Sequence, residues 1–282
     1  MIISASRRCD IPAWRMDWFM EVLAQGWVQV TNPFNAGLTR TVSLLPGDVD
    51  CLVFWTRDPR PLLARVDELE AKGMPWYVQV TLTAYPRALE PGAPPSAEVV
   101  AAMAALAERL GPRRVVWRYD PIIAAHGLGL AFHEANFAAL AGRLAGRVER
   151  VVVSLLDEYR STARRLKAAG HPDPVFASAL KGREASPGLP PEPYPAILAA
   201  IGRLAALAGM EARACAEPWD LSGFGIGPGA CIDAGLVSRI SGTSPSAAKD
   251  RNQRPDCGCA ASVDIGSYGA CPTGCVYCYA RR

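Results

Sequence analysis

Residues 76–82 read WYVQVTL, residues 96–110 read SAEVVAAMAALAERL, and residues 114–118 read RVVWR. The outer two runs are near-continuous strings of apolar and β-branched residues, which suits strands buried on both faces of a parallel sheet. The middle run is an amphipathic helix. Ser96 supplies its N-cap, Glu98 an acid in its first turn and Gly111 its stop. Strand, helix, strand in that order is the unit of an α/β fold.

The same reading extends in both directions. It predicts strands over 1–5, 27–31, 51–55, 76–82, 114–118, 150–155, 174–179 and 211–215. Helices are predicted over 12–24, 61–72, 96–110, 134–144, 158–169 and 195–208. The first starts at Pro12, a favoured first-turn residue, and the second stops at Gly73. Residues 32–50 read as a loop with a short extended piece. Eight strands in this length point to a (β/α)8 TIM-like barrel over residues 1–215. Residues 216–282 form a Gly- and Cys-rich tail with little periodicity. The tail cannot build its own apolar core, so a metal staple is expected to replace one. It is expected to fold over the strand-end face of the barrel.

The chain has 282 residues, half of them hydrophobic and a fifth charged, which excludes a disordered protein. No apolar run reaches the ~18 residues of a membrane span, and the start MIISASRRCDIP lacks a secretory stretch. A soluble, cytoplasmic protein without a membrane partner is expected. The net charge of +3 is too mild to argue for nucleic acid.

In a β/α barrel, chemistry sits on the loops that follow the strands. Here those positions are polar: Ser4, Ser6, Arg7, Arg8 and Asp10 after the first strand, and Thr56, Arg57 and Asp58 after the third. Thr81, Thr83 and Tyr85 follow the fourth, Arg118, Tyr119 and Asp120 the fifth, Ser154, Asp157 and Tyr159 the sixth, and Glu217 the eighth. The opposite strand ends are blander. Arg8, Asp10, Arg118, Asp120 and Glu217 are therefore the catalytic candidates. Taken singly, each also reads as a loop ion pair or, for Asp10, a helix N-cap.

Seven of the nine cysteines lie in the last 68 residues, which points to metal rather than to a disulfide framework. Cys271, Cys275 and Cys278 have the spacing C-x3-C-x2-C, with Tyr277 just before the last. Three thiolates on one short loop suit three irons of a 4Fe–4S cubane and leave the fourth iron open. Cys215, Cys231, Cys257 and Cys259 make a second set of four, enough for a second 4Fe–4S cluster or a zinc ion. Cys9 and Cys51 read as non-ligands.

The motif C-x3-C-x-aromatic-C resembles the signature of radical S-adenosylmethionine (SAM) enzymes. The longer string CPTGCVYCYAR (271–281) is similar to the cluster loop of their spore photoproduct lyase-like branch. Over nearly its full length the chain also resembles an uncharacterised bacterial domain-of-unknown-function family. The matching pieces are SASRRCDIPA, NPFN, VFWTRDP, WRYDPI and QRPDCGC…DIGSYGACPTGCVYCYA. The radical-SAM resemblance implies one-electron cleavage of SAM to methionine and a 5′-deoxyadenosyl radical, which abstracts hydrogen from a small-molecule substrate. It also implies an electron donor such as a flavodoxin or ferredoxin. In most of that family the loop follows the first strand, whereas here it lies at the C-terminal end. Ser4, Ser6, Arg7, Thr81, Thr83 and Tyr277 are the candidates for binding SAM. Two alternatives stay open. One is a β/α-barrel hydrolase or binding protein with a structural zinc or Fe–S tail, using Asp10, Asp120, Asp157 and Glu217. The other is a nucleic-acid repair lyase, which the mild charge and the acids among the basic groups at 7–8 and 249–254 disfavour.

Overall fold

Six of the eight predicted strands pair in parallel, as their apolar runs require. They are β1 (Ile2–Ala5), β4 (Cys51–Thr56), β5 (Trp76–Thr81), β6 (Val115–Ile122), β7 (Arg150–Leu155) and β8 (Glu211–Cys215) in a computed structural model that describes residues 1–33, 35–177 and 188–281. Two very short strands from the tail, β9 (Gly227–Gly229) and β10 (Ser262–Asp264), complete an eight-stranded sheet in the order β10-β1-β4-β5-β6-β7-β8-β9. Every pairing in it is parallel. The helices are α1 (Ile11–Trp14), α2 (Met16–Gln25), α3 (Arg60–Leu63), α4 (Val66–Glu70), α5 (Ser96–Leu110), α6 (Leu130–Leu144), α7 (Arg160–Ala168), α8 (Tyr194–Leu207) and α9 (Ala234–Ser241). The architecture is thus α/β, with a central parallel sheet flanked by helices. No helix among the described residues is long and apolar enough to cross a membrane.

Two predicted strands stand elsewhere. Residues 27–31 fall in β2 (Trp27–Asn32), which pairs antiparallel with β3 (Asn35–Ser43) in a hairpin outside the main sheet. The cause is legible in hindsight. Val28 and Val30 are buried while Trp27, Gln29 and Thr31 are exposed, the alternation of a strand with one wet face. The predicted strand 174–179 makes one antiparallel bridge, Val175 to Ala124, and residues 178–179 lie outside the described residues.

Alternation within the sheet strands divides the core. Leu52, Phe54, Trp76, Val78, Trp117 and Val153 pack with the helices through Val99, Met103, Leu106, Phe137 and Ile201. Their neighbours Cys51, Val53, Tyr77, Val116, Val152 and Cys215 face the other way. That second face is covered by the tail itself, through Cys231, Ile232, Leu236, Val237, Cys257, Cys259 and Ala260. The tail therefore covers the face of the sheet that the helices leave open. Behind the two edge strands, Ala260 N–H donates to Ile232 O at 2.9 Å. No ladder joins β9 to β10 among the described residues.

Candidate functional site

The polar residues after β1 converge on one carboxylate. Asp264, the last residue of β10 and 8% exposed, accepts hydrogen bonds from Ser4 Oγ (2.6 Å), Ser6 Oγ (2.7 Å), Arg7 N (2.8 Å) and Gly266 N (2.9 Å). The Nε atoms of Arg7 and Arg8 each lie 3.9 Å from it. Gly266 is needed here, because a Cβ at that position would sit 2.0 Å from Ser6 Oγ. Ser4, Ser6 and Arg7, expected from the sequence to bind SAM, here converge on a carboxylate of the chain's own tail. Asp10 is equally committed. One oxygen caps α1 through Ala13 N (2.9 Å) and the other accepts Arg57 N (2.7 Å), which ties the loop after β1 to the loop after β4. Burial pushes its carboxyl up to about 6 against those two bonds.

The loop 271–278 lies against the C-terminal ends of β4 and β5. Arg57, just past β4, forms an ion pair with the buried Glu90 at 2.9 Å. Glu90 also accepts from Thr83 Oγ1 and from the Tyr277 hydroxyl, and Arg57 donates to that same hydroxyl. Tyr277 further packs edge-on against Tyr85. The backbone of the loop is gripped from several elements. Arg165 donates to Val276 O (2.7 Å) and Cys278 O (2.6 Å), Gly92 N to Thr273 O (3.0 Å), and Val276 N to Leu89 O (2.9 Å). Trp14 Nε1 donates to Thr273 Oγ1 at 2.9 Å. A Cβ on Gly92 would stand 2.6 Å from Thr273 O, so only glycine admits this approach. Within the loop, burial pushes the Cys275 thiol up to about 11, with Arg57 pulling down and Glu90, Cys278 and Cys271 adding to the rise. Burial and Cys271 likewise raise Cys278. The three thiols therefore feel one another's charge. No sulfur–sulfur hydrogen bond joins them among the described residues, and Cys271 Sγ instead lies 3.3 Å from Thr273 Oγ1.

The second cysteine set is packed differently. Cys215 Sγ and Cys231 Sγ are 2.8 Å apart as free thiols. Cys231, Cys257 and Cys259 lie in the same buried cluster and influence one another's titration. The hydrogen bond from Cys259 draws the Cys257 thiol down to about 7, against burial. Ile232 N–H donates to Cys259 Sγ at 3.4 Å. Tyr77 Oη (2.6 Å) and Gln79 Nε2 (2.8 Å) both donate to Cys231 O. Arg118, predicted as catalytic, donates through Nη1 to Cys231 Sγ (2.7 Å) and Gln79 Oε1 (3.0 Å), and through Nη2 to Asp120. Asp120 also accepts from Ser154; burial would raise its carboxyl, but Arg118 and Ser154 hold it below the usual range. Among the described residues, no group of three or more His, Cys, Asp or Glu side chains stands in metal-ligating geometry.

Glu217 accepts Leu155 N at 2.8 Å, and burial pushes its carboxyl up to about 8. Arg8 stacks 5.5 Å over Tyr268. Thr81 and Thr83 line a cavity of about 160 Å³ with Arg57, Tyr85, Arg87 and Glu90, smaller than the ~300–1,000 Å³ of ordinary small-molecule sites. Ala84 and Ala216, one residue beyond Thr83 and Cys215, hold left-handed backbone (φ 49° and 56°), an uncommon state found at site-forming turns. A larger cavity, about 700 Å³, opens at the opposite strand ends. Its charges pair among themselves, Arg150 with Asp233 and Glu211, Arg213 with Glu211, and Arg113 with Glu149.

Asp264, Glu90 and Arg165 are absent from the sequence-derived candidates, and Arg57 stands there only as one strand-end residue among many. A lone Glu in a Pro-rich loop and an Asp in a tail without periodicity carry no local signal. No curated protein and no solved structure matches the chain. The model of one family, described as a domain of unknown function (DUF1848), matches residues 2–280, and the chain belongs to that family.

Proposed function

We propose that this chain is an iron–sulfur enzyme of radical-SAM type, with its 4Fe–4S cluster on Cys271, Cys275 and Cys278 and its sheet curved into a barrel around the tail. The observation that carries the reading is the seating of the three-cysteine loop at the C-terminal strand ends, gripped by Arg165, Gly92, Leu89 and Trp14. That end is where α/β sheets and barrels place their chemistry. The donor set suits a cluster by its chemistry and spacing: three thiols in a C-x3-C-x2-C run on one loop whose backbone is held in place. When bound, the group supplies one-electron reduction of SAM.

The chain's own residues do the rest. Arg57, Glu90 and Tyr277 fix the loop floor through a closed set of hydrogen bonds. Glu90 and Thr83 face the 160 Å³ cavity, which suits an amino-acid-sized group rather than all of SAM. Arg57, ion-paired with Glu90, carries positive charge beside the loop and partly opposes the burial that raises the Cys275 thiol.

Anaerobic reconstitution with iron and sulfide tests this. The expected result is about four acid-labile sulfides per chain and a reduced-cluster electron paramagnetic resonance signal that shifts on adding SAM. Stoichiometric zinc without sulfide would overturn the reading and favour a barrel with a structural tail.

A further inference from the structure

We propose that Cys215, Cys231, Cys257 and Cys259 hold a single metal ion, zinc or iron, as a buried tetrathiolate, with Arg118 as the hydrogen-bond donor that positions the Cys231 sulfur. This inference does not rest on the reading of the loop at 271–278. It concerns a separate set of thiols on the inner face of the sheet.

Distance separates one ion from a cubane. Sulfurs on a cubane stand about 6–7 Å apart. Sulfurs around one tetrahedral ion, with metal–sulfur bonds of ~2.3 Å, stand about 3.8 Å apart. Here Cys215 and Cys231 are at 2.8 Å, and Cys257 and Cys259 belong to the same buried cluster. A pair of sulfurs at that distance leaves no room for a four-iron cage between them. The Cys215–Cys231 edge has to open by about an ångström to match a one-ion site, so the ligand geometry is completed only when the ion enters. All four donors are soft sulfur, the set that selects zinc or iron among the divalent metals.

Charge and backbone agree. An ion of charge +2 with four thiolates carries a formal charge of about −2. Arg118, 7% exposed, points Nη1 at Cys231 Sγ at 2.7 Å. Arg7 lies within electrostatic reach of Cys259, and its buried Nη1 has no hydrogen-bond partner among the described residues. Arg254 stands in the same relation to Cys215. Each of the three also pairs with a carboxylate, Arg118 with Asp120, Arg7 with Asp250 and Arg254 with Asp157, and a dianionic centre beside them adds a second anion for the same guanidinium groups. Ile232 N–H to Cys259 Sγ is the kind of second bond that orients a sulfur ligand.

Topology gives the site its role. Cys215 ends β8, Cys231 follows β9, and Cys257 and Cys259 precede β10. One ion would join both edges of the sheet and fix the tail in its interior.

The test uses the full-length chain with Cys271, Cys275 and Cys278 all changed to Ala, purified anaerobically. The proposal expects about one zinc or iron per chain and no acid-labile sulfide. Cobalt(II) exchanged into the site should give the sulfur-to-cobalt charge-transfer and intense visible bands of a tetrahedral tetrathiolate. Zinc and iron are told apart by elemental analysis of the same sample. Four irons with four sulfides would overturn the proposal in favour of a second cubane. A metal-free chain with a Cys215–Cys231 disulfide or four titratable thiols would overturn it as well. Should that triple variant not fold, the unaltered chain is compared with its Cys215→Ala variant: loss of about one zinc or iron with sulfide unchanged supports one ion here, and loss of about four sulfides refutes it. Cys259→His should keep the ion where Cys259→Ala loses it. Arg118→Gln should retain the fold and weaken metal affinity by roughly 10–100-fold; unchanged affinity would refute the role given to Arg118.

Discussion

The two cysteine sets of this chain differ in burial and are organised in opposite ways. The loop set, with Cys275 buried and Cys271 and Cys278 partly exposed, is held from outside: its backbone carbonyls and Tyr277 are gripped by neighbours, and Cys271 Sγ lies 3.3 Å from Thr273 Oγ1. The inner set is drawn inward: Cys215 and Cys231 touch, and Arg118 donates to a sulfur directly. A turn clamped by its backbone can present sulfurs to something beyond it. A knot of sulfurs surrounded by the core can only hold something within. The difference teaches that spacing alone does not give cysteines their role; what their neighbours bond to does.

The largest expected effect separates the sets by stability. Cys257→Ala should release the tail, because binding free energy of ~10–16 kcal/mol measured for small structural zinc sites is folding free energy for the segment the metal organises. Limited proteolysis should then cut within 216–264. Cys275→Ala should leave that segment protected. Equal protection in both variants would break the comparison.

Asp264→Ala comes next. It removes the acceptor of Ser4, Ser6, Arg7 and Gly266 and leaves the Arg7 and Arg8 charges without it. A cost of about 3–5 kcal/mol in urea unfolding is expected, as for breaking a buried charged network. A change below ~1 kcal/mol would show that β10 does not depend on this carboxylate.

A pH effect of about 3 kcal/mol belongs to the loop side. His133 is fully buried, its Nδ1 2.9 Å from the Tyr119 hydroxyl and its Nε2 3.0 Å from Ile123 O, in the aromatic group that includes Tyr85 beneath Tyr277. Burial lowers its pKa from 6.5 to about 4. The folded state therefore favours the neutral ring. The contribution is present above pH 6.5 and is lost as pH falls from 6.5 towards 4. Asp10 and Glu217, whose carboxyls burial raises, change with the opposite sign over this window, so the readout is the difference between the unaltered chain and His133→Gln. That difference in unfolding free energy should change by about 3 kcal/mol between pH 7 and pH 4.5, and a difference that stays constant with pH would contradict the assignment.

The smallest effects sharpen the picture of the clamp. Gly92→Ala forces a Cβ into Thr273 O and should cost about 1–3 kcal/mol. Arg165→Ala removes the donors to Val276 O and Cys278 O and should cost about 1 kcal/mol. Hydrogen exchange should rise at the loop in both variants and not at Cys231 or Cys259.

How much of this was legible in the sequence follows from how local each signal is. The buried strands were legible because a doubly buried strand needs an unbroken apolar run, as in WYVQVT and CLVFWT. The misplaced strand at 27–31 carries its own correction, the alternation of WVQVT, which marks a one-sided strand. The edge strands GPG and SVD were not legible: three residues have no periodicity, and their pairing is fixed by β8 and β1. The polar strand ends were visible as a group, but not what they bind. Ser4, Ser6, Arg7 and Arg118 are occupied by Asp264 and Cys231, and no local pattern announces that a tail so far along the chain returns to meet them. Glu90 and Arg165 were hidden for the same reason.

The most direct measurement of the central claim is reductive cleavage of SAM by the anaerobically reconstituted chain. With dithionite as reductant, the account expects methionine and 5′-deoxyadenosine in equal amounts, and none from Cys275→Ala folded to the same extent. A chain that carries iron and sulfide on its loop yet yields neither product, or a Cys275→Ala variant that yields both, would contradict it.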